Sequence, residues 1–322
     1  MSDGKAGLRS LIPPVAIANK FVNHTSNNIK AAAVLVVAGL FFSIMSATIK
    51  LAGQTLHVTQ ILLIRQLGML LIMSPQIIAS PRESYRTGRL DLQMIRLGLA
   101  LVAMLGGFTA LIHMPLADAT ALGFAKSFFV TIFAVIILKE LVGPYRWFAV
   151  VVGFIGVLIM LRPGSDGFTI YSIYAVISAA CAGAVMVVIR LLSRTETTHT
   201  IMVYQATGVA IVMLIPAWIT WQQPTVWEWV LLAVIGFTAY IGQRLNVLAF
   251  TWGEASLLAS LDYMRLIYAV IIGFFLFGNL PHANTLLGAI IIVAAAVFTV
   301  HRESRRKQAL ASASDGRGFT NN

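Results

Sequence analysis

The chain has 322 residues, 58% of them hydrophobic and only 11% charged, with a mean hydropathy of +0.85. Soluble globular proteins average about 45–50% apolar and about 25% charged residues, so an ordinary soluble domain is excluded. The net charge of +11 does not point to nucleic acid, because the basic residues lie between apolar runs and in the two tails, where membrane topology accounts for them.

Residues 1–29 are mostly polar. Their one apolar patch, Leu11 to Ala18, is short and interrupted by Pro13 and Pro14, so the segment reads as a loosely ordered cytoplasmic tail with no cleavable signal. Ten apolar runs follow, at roughly 31–51, 58–79, 95–113, 116–138, 146–161, 168–189, 200–219, 228–250, 255–277 and 283–300. Each is of a length to cross a hydrocarbon core of about 30 Å as a helix. Connections are short, and only Ser80–Arg96 reads as an extended aqueous loop. The expected fold class is all-α integral membrane, with ten transmembrane helices.

With the N-terminus inside, nearly all Lys and Arg residues outside the spans fall on the cytoplasmic side. The opposite side holds only Arg162 and Lys50, which is expected to snorkel. Both termini are therefore expected in the cytoplasm, with the protein in the bacterial inner (plasma) membrane. Trp218, Trp221, Trp227 and Trp229 bracket the connection between spans seven and eight, and Trp147 and Trp252 also fall at interfaces.

The two halves repeat. Ile49-Lys50-Leu51 resembles Ile189-Arg190-Leu191, Gly68 matches Gly208, and Ala149 and Gly156 match Gly288 and Ala295. Each half holds five spans, an odd number, so the halves enter the membrane with opposite orientation. Inverted repeats of this kind place a substrate site near the midplane between them. The domains read as a tail over 1–29, a first repeat over 30–164, a second over 165–301 and a basic tail over 302–322.

Four basic residues lie inside spans: Arg65, Lys126, Arg244 and Arg265. Lys126 and Arg265 stand 139 residues apart, at matching points of the two halves. Each is about ten residues, or about 15 Å, from either end of its span, too deep for easy snorkelling. A cation at that depth costs about 2.5–3.5 kcal/mol on insertion scales and usually faces a polar cavity. Arg65 and Arg244 lie nearer an interface, where a cavity role and snorkelling are both open. Asp262 stands three residues before Arg265, a spacing suited to an ion pair on one helix face, and Tyr268 continues that face. Whether Asp262 only neutralises Arg265 or also carries a proton is open. Gln66, Gln205, Gln243 and Asn246 interrupt apolar helices; interhelical bonding is their default role, and cavity lining the alternative. Tyr263, Phe124, Phe128 and Tyr240 are candidate aromatic walls.

The Arg65 segment ILLIRQLGMLL, the PLADATAL start of span four, FIGVLIMLRPG, DYMRL and the last span TLLGAIIIVAAAVFTVHRE resemble, in order and spacing, the EamA-type ten-helix transporters of the drug/metabolite transporter superfamily. The likeness runs from about Ala31 to Arg302. It implies two bundled five-helix repeats around a central cavity and alternating-access transport of a small organic solute. Lys126-Ser127 departs from the neutral pair that such transporters often carry in span four.

Four embedded cations against one carboxylate favour an organic anion or zwitterion, such as a carboxylate or an amino acid. The alternative is a larger cationic or neutral compound, S-adenosylmethionine-like or riboflavin-like. An integral-membrane enzyme is the least favoured reading. The six histidines fall in tails, loops and helix ends, and there is no HExxH, acidic metal cluster or phosphate-cradling glycine loop. The lone Cys181 provides neither a disulfide nor a cysteine metal site. Neither cofactor nor metal is expected. The partners are the solute and the bilayer, with a proton, a counter-substrate and a homodimer left open.

Overall fold

A run of about twenty apolar residues in lipid has no water for its peptide groups and satisfies them by coiling into a helix. Helices are what the computed structural model contains over the residues it describes, 14–139, 143–161, 169–252, 261–295 and 297–298. The expected tail residues 1–13 and 302–322, the Arg-Pro-Gly of 162–164 and the first part of span nine lie outside that set.

The helices are α1 (Pro14–Ala52), α2 (Val58–Ala79), the single turn α3 (Pro81–Ser84), α4 (Leu90–His113), α5 (Leu116–Gly123), α6 (Lys126–Leu138), α7 (Pro144–Leu161), α8 (Ile170–Leu192), α9 (Thr198–Ile219), α10 (Val226–Trp252), α11 (Met264–Phe277) and α12 (Ala283–Ala295). Seven segments are long and apolar enough to cross a membrane, α5 and α6 together forming one of them. The shorter apolar helices Trp147–Leu161, Met264–Phe277 and Ala283–Ala295 supply the remaining three positions in the chain order.

Two boundaries differ from the sequence reading. Helix α1 begins at Pro14, well inside the segment expected to be loose, and only Ile29–Ala52 of it is suited to the bilayer. The aqueous loop is also shorter than expected, because α4 starts at Leu90 and carries Arg96 within its second turn.

The packing obeys a two-fold relation between the halves, with α1 corresponding to α8, α2 to α9, α4 to α10, α5–α6 to α11 and α7 to α12. Helix α1 lies along α10 as α4 lies along α8, α1 meets α11 as α8 meets α6, and α2 meets α10 as α9 meets α4. Small residues set the close approaches. A Cβ on Gly68 would stand 3.3 Å from the Cα of Gly236, and one on the matching Gly208 would stand 2.7 Å from the side chain of Leu97, the counterpart of Gly236.

Both ends of the bundle are tied across the halves. At the end bearing residues 53–57, Gln60 exchanges two bonds with the backbone of Gln222, at 2.9 and 3.1 Å, while Thr55 donates to Glu228. At the end bearing residues 80–89, Glu196 accepts from Thr87 and from the Gly88 N–H, both at 2.9 Å, and Tyr204 donates to the Tyr85 carbonyl at 2.8 Å.

Candidate substrate cavity

Span four is not one helix. After Gly123 the backbone tightens, with the N–H groups of Phe124 and Ala125 bonding back three residues, and α6 restarts at Lys126. Span nine has the same interruption at Asp262-Tyr263, and α11 restarts at Met264, beside Arg265. Interrupted helices at mid-membrane are tolerated where their backbone lines a cavity rather than lipid.

A cavity of about 450 Å³ lies at these interruptions. Lys126 and Arg265 both line it, and so do Gln205 and Gln243. Its hydroxyls come from Ser43, Ser46, Thr120 and Ser178, and its apolar wall includes Phe42, Phe108, Phe124 and Met104. Volumes of about 300–1,000 Å³ suit small-molecule ligands.

Arg265 is fixed on three sides. Its Nε contacts Asp262 Oδ1 at 2.8 Å, with the side chains 18% and 20% exposed, so the expected pair forms although Asp262 lies in the turn before the helix. The guanidinium carbon sits 4.1 Å from the centre of the Phe42 ring, a cation–π contact, and Ser43 donates to the Arg265 carbonyl at 3.4 Å. Gly39 admits this cluster to α1, since a Cβ there would meet Arg265 Cγ at 3.3 Å and the Tyr268 ring at 3.6 Å. Lys126 feels the charges of both Asp262 and Arg265, and its ammonium has no hydrogen bond among the described residues.

Other candidates fall elsewhere. Tyr268 packs on α1 beside Gly39 and is not part of the cavity lining. Arg244 is exposed and donates to the Tyr240 hydroxyl at 2.9 Å, outside the lining, and Asn246 is half-buried and also outside it. Arg65 stands one layer back, 5.8 Å from the centre of the lining Phe108 ring, and donates to Gln66 at 2.8 Å.

Two cations that the sequence reading assigned to the aqueous faces are buried. Lys50 does not snorkel. It is 7% exposed, and its ammonium donates to the carbonyls of Met114 at 2.6 Å, Ile112 at 3.1 Å and Leu111 at 3.4 Å. These are acceptors left open at the C-terminal end of α4, where a cation is also favoured by the helix dipole. Arg96 is 4% exposed, donates to the Ile201 carbonyl at 3.0 Å and holds the side-chain oxygen of Gln205. Its position inside an apolar run, three residues after Gln93, was the available signal.

The EamA-like transporter family matches residues 29–162 and again 169–301. The chain belongs to that family. It is a small-molecule transporter of the membrane, built from two copies of one repeat. It is 27% identical over 256 residues to an S-adenosylmethionine uptake transporter of Rickettsia bellii, covering 80% of this chain and 88% of that one. It is 29% identical to a riboflavin transporter of Brucella anthropi, over 73% of this chain and 85% of the relative. It is equally 29% identical to a pseudopaline exporter of Pseudomonas aeruginosa, over 81% and 93% of the two. A solved crystal structure at 15% identity superposes with a TM-score of 0.60 over 88% of this chain and 99% of that one, which is a likeness of fold.

Proposed function

We propose that this transporter is a secondary carrier of a small organic anion or zwitterion, with a carboxylate as the recognised group, working by alternating access. The observation that carries the reading is the charge of the cavity. Lys126 and Arg265 share one lining that carries no carboxylate among the described residues, and Asp262, beside the cavity, pairs with Arg265. With Arg265 engaged by Asp262, the Lys126 ammonium is the cavity's free cation among the described residues. A carboxylate in water-excluded surroundings gains most from such a group. An amino acid fits as well, its ammonium meeting the Asp262 side of the pair. The site residues proposed are Lys126, Arg265, Gln205 and Gln243 in the lining and Asp262 behind Arg265, with Arg65, Arg244, Tyr268 and Asn246 also outside the lining.

The second reading, a neutral or cationic ring compound, has the aromatic wall of Phe42, Phe108 and Phe124 in its favour, together with relatives named for S-adenosylmethionine and riboflavin. The proposed setting is the bacterial inner membrane with both termini in the cytoplasm. Proton coupling, exchange and a homodimer are compatible with this reading.

The test is counterflow into liposomes loaded with a panel of carboxylates, amino acids and ring compounds. Saturable counterflow competed by carboxylates and lost in Lys126→Ala supports the anion reading. Movement indifferent to carboxylates and competed by neutral or cationic rings rejects it, and product formation without movement rejects a carrier.

A further inference from the structure

The cavity is flanked along the membrane normal by two further cations, the buried Arg96 and the half-buried Arg65. Helix α2 starts at the 53–57 end, and Arg65 lies seven residues in, about 10 Å. Helix α4 starts at the 80–89 end, and Arg96 lies six residues in, about 9 Å. Lys126 is about 15 Å from the 53–57 end, between the two. Each arginine is separated from the cavity by one side chain. Arg65 lies over Phe108, and Arg96 grips Gln205; both of those intervening residues line the cavity. The relation is close to symmetric, because Gln205 is the repeat counterpart of Arg65.

Neither guanidinium has a carboxylate partner among the described residues, and the buried Nε of each makes no hydrogen bond. A guanidinium stays charged even when buried, so these are permanent charges without counter-ions. Gln93, one turn from Arg96 and 2% exposed, leaves both of its side-chain polar atoms without a partner. Buried polar groups in this condition need a partner, which an ordered water, an ion or a ligand group can supply. At the opposite end a second cavity of about 310 Å³ reaches Thr109 and Ile112 of α4, one turn from Phe108.

We propose that Arg65 and Arg96 are sided stations for the anionic group of the solute, Arg96 serving the 80–89 end and Arg65 the 53–57 end. Gln205 and Phe108 are the side chains that move aside as the anion passes between a station and Lys126. The inference rests on the carrier reading of the cavity, but its test needs no solute.

The reporter is the full chain carrying Cys181→Ala and Ser46→Cys, which leaves one thiol in the cavity lining. Right-side-out and inverted membrane vesicles are treated with two impermeant thiol reagents, anionic methanethiosulfonate ethylsulfonate and its cationic trimethylammonium analogue. Rates are normalised to a free thiol. The anionic reagent is expected to be favoured from both sides. Arg96→Gln should lower that preference about tenfold from the 80–89 side, the scale on which a charged cleft concentrates ions, and leave the other side nearly unchanged. Arg65→Gln should do the reverse. Arg96→Lys should keep the preference, since it retains the charge while losing the grip on Gln205. Equal losses from both sides, no loss, or Arg96→Lys behaving as Arg96→Gln would overturn the stations. If Arg96→Gln does not insert, the Arg65→Gln arm decides by the same sided criterion. Sided losses in a protein that fails carboxylate counterflow would reject the substrate class alone; carboxylate counterflow without sided losses would reject the stations alone.

Discussion

The rings of Phe124 and Tyr263 meet with centroids 4.8 Å apart and planes tilted by 51°. The two residues stand 139 positions apart, the same interval as Lys126 and Arg265, so each is the other's counterpart in the repeat. A residue that touches its own counterpart lies on the pseudo-two-fold axis. Each also belongs to the interruption of its span, where the Phe124 carbonyl accepts from Ser127 N at 3.1 Å and the Tyr263 carbonyl from Leu266 N at 3.0 Å. The axis of the molecule thus runs through the two helix breaks and past the two central cations.

This aromatic contact should be measurable as a coupling between the repeats. In a double-mutant cycle of Phe124→Leu and Tyr263→Leu, thermal unfolding in detergent should give an interaction energy of about 0.5–1.5 kcal/mol. Strict additivity would mean that the rings are neighbours without mutual support.

Lys126→Ala and Arg265→Ala should each reduce solute counterflow by more than about a hundredfold while the protein remains inserted, a loss of about 2.7 kcal/mol in transition-state terms. Asp262→Ala leaves Arg265 without its carboxylate and should cost about 3 kcal/mol of stability, whereas adding Arg265→Met to it should recover much of that. Normal counterflow by both cation variants would remove the central cavity from the transport path.

The ten spans, the repeat and the meeting of Lys126 and Arg265 at one cavity were legible in the sequence, whereas for Gln205 and Gln243 cavity lining was only the alternative to interhelical bonding. Hydrophobic length marks spans, and a constant interval marks repeats. The breaks were not legible, because Phe124-Ala125 contains neither Pro nor Gly and looks like continuous helix. Lys50 and Arg96 were read as topology charges for a different reason. Their backbone acceptors are carbonyls, which every residue carries, 61 to 64 residues away for Lys50 and 105 away for Arg96, and the Gln205 side chain that Arg96 also holds is 109 residues away. For Lys50 nothing in the local sequence distinguishes a cation that reaches water from one that reaches a distant helix end, and for Arg96 the one local signal was its place in an apolar run after Gln93.

Lys50 joins the end of α1 to the corner between α4 and α5, and its ammonium also faces the Phe277 ring of α11 at 5.4 Å. Lys50→Met removes the donor and strands acceptors in the buried corner, so stability should fall by about 2 kcal/mol. Lys50→Arg, which keeps the charge and adds donors, should recover part of the loss in the same melting assay. An unchanged melting temperature for Lys50→Met would show that water takes over the corner without cost.

Glycines of this chain should respond to alanine with opposite signs. A Cβ on Gly288 would fall 2.3 Å from Met160 Cγ and 2.6 Å from the Gly156 carbonyl oxygen, and one on Gly156 would fall 3.0 Å from the Gly288 carbonyl oxygen. Methionine can yield, but the facing backbone of α7 cannot without the helices parting. Gly288→Ala should therefore cost about 1–3 kcal/mol, as overpacking does. Gly98 lies inside α4 with nothing within 4 Å of a built Cβ. There alanine meets no obstacle and stiffens the unfolded chain, so Gly98→Ala should raise stability by up to about 1 kcal/mol. Melting curves of the two variants under one detergent condition separate the cases. Two shifts of the same sign would show that the glycines act through helix propensity rather than through the contact between the two halves.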